Sequence, residues 1–247
     1  MRPFPICLDM FDEAGTEAPV QVQLIGSPSI VHEISSLPGF GGRLHWVTGE
    51  QGVHERPETA FVIVIWDDSL NGPLAAQLAP PISRSIIVIL HRRDQTPPAA
   101  IHGRPMVHMS FDGTPWDAVL SLVAPLLMPL VYRSIVCVDL ADFEFLFAHG
   151  GRLRCLAETR GEDLEVCLAS LAWQLSKLDQ PAVAYRRLLA SILLPSRLPA
   201  ISVIDRVGRM VHDRHACEEP YVVIPTLVYD GATSWLSVFV VDPADEL

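Results

Sequence analysis

The sequence is nearly without lysine. Of its 18 basic residues, Lys177 is the single lysine and all others are arginine. That excludes a phosphate-binding loop of the kind that ends in lysine, and it leaves Lys177 as the one residue on which Schiff-base chemistry could rest. Clustered positive charge is missing too. The formal net charge is −11, and no basic face is visible to neutralise a phosphate backbone, so no nucleic-acid partner is expected. The five cysteines (Cys7, Cys137, Cys155, Cys167 and Cys217) are scattered, with no CxxC pair. An odd, unpaired set fits a reducing, cytoplasmic setting better than a disulfide framework. The opening stretch, MRPFPICLDMFDEAGTE, has too short an apolar core for a secretory leader and quickly turns acidic. The longest apolar run, Val119 to Tyr132, is 14 residues and contains Pro125 and Pro129. A bilayer span needs ~20 apolar residues, so this run is expected to be a buried helix and no membrane span is expected. No G-x-S-x-G elbow is present, which removes the usual support for a serine hydrolase.

What is present is a chain able to fold. Apolar residues make up 49% of its 247 and charged ones 19%, enough for a substantial core. Residues 1–18 read as a tail. Val20–Ile25 reads as a strand closed by Gly26, and Pro28 suits the first turn of a helix running to about Ser36. Arg43–Val47 is a second strand. Ala60–Trp66 and Ser85–Leu90 are near-continuous runs of β-branched and apolar residues, as in strands buried on both faces of a parallel sheet. A short helix over Leu74–Leu78 separates them, Pro97 and Pro98 mark a loop, and Met106–Phe111 completes the set. Alternation of this kind predicts a parallel α/β sheet.

Trp116–Tyr132 predicts a long apolar helix kinked at its prolines. Beyond it the layout changes. Leu153, Cys155 and Ala157 alternate with polar residues, as in a half-exposed strand. Gly161-Glu162-Asp163 opens a helix with Leu164, Leu168, Leu171, Leu175 and Leu178 on one face, the acidic pair complementing the helix dipole. Leu188–Leu194 predicts a strand, and Ile201, Ile204, Gly208 and Val211 a second amphipathic helix. Tyr221–Tyr229 and Trp235–Val241 flank Asp230-Gly231, which predicts a hairpin. Trp116, Trp173 and Trp235 are expected as core or interface anchors.

Two carboxylates, Asp139 and Asp142, lie three apart where the apolar segment breaks. On their own they read as caps for a helix over Phe143–His149, since Asp is favoured at a helix start. A second reading comes from the surrounding chain. Residues 135–163, IVCVDLADFEFLFAHGGRLRCLAETRGED, resemble the segment after the central helix in the FtsZ/tubulin superfamily, where an N-x-D-x-x-D loop leads into a helix, a strand and a Gly-Glu-Asp helix start. The closing stretch, YVVIPTLVYDGATSWLSVFVVD, is similar to the last two strands of that fold. The resemblance extends over roughly residues 20–242 and is most specific from 116 onward. It implies an α/β architecture: a tail (1–18), a Rossmann-like parallel-sheet nucleotide-type domain (19–115), a central helix (116–135) and a smaller α+β C-terminal domain (136–247).

In that superfamily GTP sits on one subunit, and the Asp loop of the next subunit positions the attacking water. Asp139 and Asp142 match the two acidic positions of the loop, which makes them the candidate catalytic residues. A carboxylate pair suits the work of orienting water and holding a cation near phosphate. Cys137 stands where the family has Asn. The complementary half-site departs from the family. A phosphate cradle needs glycines whose N–H groups turn inward. Here the first turn reads Gly26-Ser27-Pro28-Ser29, and the place of GGGTGTG is taken by Trp66-Asp67-Asp68-Ser69-Leu70-Asn71-Gly72. Pro28 offers no N–H, and two carboxylates facing a triphosphate repel it.

The resemblance therefore implies a pseudo-GTPase with no cofactor of its own. It would work through contacts with FtsZ-like or tubulin-like subunits, capping or regulating a cytoskeletal filament in a cell-division setting. The alternative is a divergent GTPase that binds GTP and Mg²⁺ through other groups and self-assembles; a third is a scaffold with no polymer partner. Two weaker constellations are present. His212-Asp-Arg-His215-x-Cys217 has no standard zinc spacing and falls at a helix end. Asp67-Asp68, just past a strand end, could hold Mg²⁺ with a phosphate but reads more simply as a solvated turn.

Overall fold

The near-continuous β-branched runs form the inner strands of a single large sheet. The computed structural model describes residues 20–27, 29, 32, 44–48, 59–66, 85–97, 100–101, 104–122, 126–128, 138, 140–178, 187–196, 198–212, 221–229 and 232–242. The expected helix after Pro28 and the one over 74–78 lie outside these, apart from Ser29 and His32, which are helical. In chain order the strands are β1 (Val20–Ile25), β2 (Leu44–Thr48), β3 (Thr59–Ile65), β4 (Ile86–Arg92), β5 (Ala100–Ile101), β6 (Arg104–Pro105), β7 (Val107–Phe111), β8 (Gly151–Gly161), β9 (Arg187–Pro195), β10 (Tyr221–Val223), β11 (Thr226–Tyr229) and β12 (Ser234–Asp242). The helices are α1 (Pro115–Leu122), α2 (Leu140–Phe147), α3 (Leu164–Ser176) and α4 (Ala200–His212).

The strand order is β10-β9-β12-β8-β7-β4-β3-β1-β2, with β11 also on β9; β5 and β6 form a separate small antiparallel pair. All neighbours in the N-terminal part are parallel, and β7 pairs in parallel with β8, so the sheet runs from one half into the other. Only β12 runs against its neighbours, between β8 and β9. The predicted hairpin around Asp230-Gly231 is therefore corrected. β11 pairs in parallel with β9, and β12 crosses to the other side of β9 rather than folding back on β11.

One face of this sheet carries a core common to both halves. Phe61 and Ile63 of β3 and Val88 and Leu90 of β4 join Leu189 of β9 and Phe239 of β12 in one cluster. Helix α1, the helical turn Leu126–Met128 and α2 supply its cover. Leu126 and Leu127 adopt the wider π-type turn, directly after Pro125, which is where the proline-induced kink was expected. The opposite face holds two separate apolar patches. Val62, Val64, Trp66, Ile87, Ile89 and Met106 form one. Leu188, Ile192, Leu236 and Val240 form the other, covered by α3 and α4.

Two phases differ from expectation. On β8 the register slips opposite Val238/Phe239, leaving Leu156 as an extra residue. This bulge sends Leu153 to the common core and Ala157 to the other face, and leaves Cys155 exposed. On α4 the buried stripe is Ala200, Val203, Val207 and Val211, while Ile201 is 77% exposed. The predicted stripe was rotated by about one residue, because Ile201 is apolar yet faces solvent. No helix among the described residues is long and apolar enough to cross a membrane.

Candidate functional site

Helix α2 carries one of the two candidate carboxylates. It begins at Leu140, earlier than expected, so Asp142 is the third helical residue and not the residue before the helix. There it complements the positive end of the helix dipole. Asp142 is half-buried. Asp139 and Cys137 lie outside the described residues; in sequence Asp139 is the residue immediately before α2.

The helix is anchored by an aromatic row. Phe143, Leu146 and Phe147 are buried in the common core. Phe143 meets Phe61 edge-on at 6.4 Å and stacks with Phe147 at 6.5 Å. Arg187, at the start of β9, holds the other end. Its Nη1 donates to the Leu146 carbonyl at 2.9 Å and its Nη2 to the Gly150 carbonyl at 3.3 Å. The first satisfies a carbonyl that the helix C-terminus leaves open, and the second fixes the turn that follows it. Burial pulls the Arg187 pKa below its ordinary value, yet guanidinium remains charged at neutral pH. The chain leaves α2 through Gly150 and Gly151, at φ 63° and 121°, conformations that glycine adopts at little cost. The Gly151 N–H bonds to the Met106 carbonyl at 2.9 Å, which ties the turn to β7. Beside these anchors, Phe145 points outward and is 59% exposed. Sequence reasoning missed Arg187 and Phe145. The signal for Arg187 was a charged residue opening an otherwise apolar strand. For Phe145 it was an aromatic out of phase with Phe143 and Phe147.

Of the stretches where the sequence leads one to expect phosphate loops, Gly26-Ser27 at the carboxyl end of β1 and Trp66 at that of β3 are described, at strand ends where α/β folds place ligands. Gly26 and Ser27 are half-buried, and Ser27 Oγ lies 3.4 Å from Ser29 Oγ. Trp66 follows β3 directly, is 4% exposed, and continues the ladder through its N–H to the Leu90 carbonyl at 2.8 Å. Pro28 and the 67–72 segment lie outside the described residues. So do His215 and Cys217; among the described residues no group of three or more His, Cys, Asp or Glu could hold a metal ion. Of the tryptophans singled out, Trp235 is buried and Trp173 is 60% exposed, with Lys177 Nζ 5.8 Å from its ring centre. The Gly-Glu-Asp helix start resolves into a cap: Asp163 Oδ1 accepts from the N–H groups of Glu165 and Val166, at 2.9 and 3.2 Å.

The backbone as a whole is similar to FtsZ from M. jannaschii. A structure of an FtsZ point mutant superposes with a TM-score of 0.59 at 11% identity, covering 92% of this chain and 92% of that one. An empty FtsZ dimer superposes with a TM-score of 0.55 at 10% identity, covering 92% of this chain and 89% of that one. TubZ from Bacillus thuringiensis serovar israelensis, in GDP-form protofilaments, matches at 0.49 and 12% identity, over 87% of this chain and 67% of that one. No family model matches the sequence, and no curated protein does. At identities this low the likeness is one of fold, and the fold is FtsZ/tubulin-like.

Proposed function

We propose that this chain is a pseudo-GTPase: an FtsZ/tubulin-like subunit that docks on a cytoskeletal filament of the same fold and caps or regulates it, without holding GTP itself. The observation that carries this reading is the asymmetry between its two ends. Helix α2, with Asp142 in its first turn, is clamped by buried aromatics and by Arg187. At the other end, the turns that should cradle phosphate have Pro28, Asp67 and Asp68 in place of glycines. A subunit built this way offers an acidic loop to a neighbour's nucleotide and presents no nucleotide to the next subunit. The exposed Phe145 supplies apolar area on the same helix, as a docking surface requires. That one of the similar FtsZ structures is a dimer supports contacts between subunits of this fold, including self-association.

Co-sedimentation with GTP-driven FtsZ-type filaments tests the reading. The expected outcome is that the chain pellets with the filaments or shortens them, and that Asp139→Ala with Asp142→Ala abolishes the effect. An unchanged effect in the double variant sinks the docking role of these carboxylates. Calorimetry with GTP and Mg²⁺ is expected to be flat. Micromolar binding together with GTP-dependent light scattering would instead establish the divergent, self-assembling GTPase.

A further inference from the structure

We propose that the outer face of α3 is a self-complementary docking surface for a second copy of this chain. The two α3 helices meet antiparallel, with Trp173 of each copy against Val166 of the other. Helix α3 has two apolar sides. The inward one, with Cys167, Leu168, Leu171 and Leu175, is buried. The outward one is uncovered. Val166 is 64% and Trp173 60% exposed, and Ala169 between them is exposed too. Spaced three, four and seven apart, these three share one side of a helix with about 3.6 residues per turn. A tryptophan held in water in line with a second apolar side chain has the composition of an interface centre, where aromatic anchors carry most of the binding energy.

The charges around this stripe select its occupant. Glu162 and the N-cap Asp163 stand at one end of it. Lys177, the C-cap and the single lysine of the chain, stands at the other, with its Nζ 5.8 Å from the Trp173 ring centre. Glu165 is already held by Arg206 of α4, at 2.5 and 2.8 Å. Glu162 and Lys177 have no ion-pair partner among the described residues. An antiparallel pair of these helices brings Glu162 of each copy to Lys177 of the other. The two-fold axis then passes between Ala169 and Ser170, small residues that let the helix axes approach to about 8 Å. The two Trp173–Val166 contacts flank that axis ~10 Å apart. Antiparallel helix dipoles attract as well. Parallel register does the reverse, setting acidic end on acidic end and Lys177 on Lys177. A two-fold contact of this kind uses the same patch twice and closes on itself. One helix on each side makes a small interface, below the ~1,200 Å² of stable complexes, so the dimer is a reversible one with a Kd on the order of 100 μM.

The surface is independent of the filament-docking reading, since none of its residues belongs to α2 or to the Asp139–Asp142 loop, and its failure leaves the co-sedimentation result unchanged. The test is sedimentation equilibrium of the full chain over a concentration series spanning that Kd, at physiological salt, where the net repulsion between two acidic copies is largely screened. A monomer–dimer equilibrium is expected. Trp173→Ala should weaken it about tenfold, as loss of an aromatic anchor does. Glu162→Lys alone and Lys177→Glu alone should each weaken it several-fold. Both changes in one chain should restore it, because each copy then offers the exchanged charges to the other. Ala169→Cys lies beside the axis and should give a disulfide-linked dimer under mild oxidation, whereas the wild-type chain and Ser176→Cys should not. Far-UV circular dichroism matching the wild type shows that each variant keeps its helices. A monomer at every concentration, a dimer unmoved by Trp173→Ala, or no recovery in the exchanged double variant overturns the proposal.

Discussion

Arg187 decides where α2 sits, and it does so through backbone carbonyls of residues about forty positions earlier in the chain. Arg187→Met preserves the apolar stem and deletes both bonds. The expected cost is about 2 kcal/mol, as for hydrogen bonds from a charged donor. It should be read as a lower Tm and as faster amide exchange at Gly150 and Gly151. The contribution of Asp163 is simpler. Asp163→Ala removes the N-cap of α3 and is expected to cost about 1 kcal/mol, measured by chemical denaturation. Asp163 was legible in the sequence because a cap and its helix are adjacent. Arg187 was not, because nothing local says which carbonyls a lone arginine will meet.

Elements were legible where their periodicity was unambiguous and misread where a local signal competed with topology. The apolar runs at β1, β3, β4 and β9 and the leucine face of α3 fold as their patterns predict. Asp230-Gly231 is a strong hairpin signal, but β9 already offers its edge to β11 in parallel, and β12 instead fills the slot between β8 and β9. On α4, Ile201 obscured the phase. Ile201→Glu should change stability by less than about 0.5 kcal/mol, whereas Val207→Ala should cost about 2 kcal/mol; urea midpoints separate the two. Helices α3 and α4 are also joined by a bidentate pair, with Arg206 Nη1 and Nη2 at 2.5 and 2.8 Å from the Glu165 carboxylate. The hydrogen bonds from Arg206 hold the Glu165 pKa below its usual range. Its folded value is depressed, so the stabilisation is present above the unfolded pKa and is lost as pH falls through the folded one. The Tm gap between wild type and Arg206→Gln should therefore be open at pH ~7 and close below pH ~4.

At the scale of the whole molecule, the sequence predicts an α/β chain with a parallel sheet, and the structure is one, with β12 alone of the large sheet's strands running antiparallel to its neighbours. What the sequence did not disclose is that one core serves both halves. Phe61 and Phe239 belong to different halves and to the same buried cluster, and β7 pairs directly with β8. Hydrophobic patterning reports that a face is buried, not which distant face buries it. A shared core makes unfolding cooperative. Tryptophan fluorescence and far-UV circular dichroism should give coincident transitions. Phe239→Ala should lower both midpoints together, for a stability loss of about 3–5 kcal/mol.

Pro225 sets the character of the border beside β9. It separates β10 from β11 at the outer side of β9, and its carbonyl accepts from the Ile192 N–H at 2.9 Å, facing inward. The N–H and C=O of one strand residue point to the same side, so the N–H that proline lacks is missing on the β9 side. Among the described residues the border of the sheet is thereby split into two short pieces, β10 and β11, held separately by β9, and such short edge strands are poor templates for pairing with another chain.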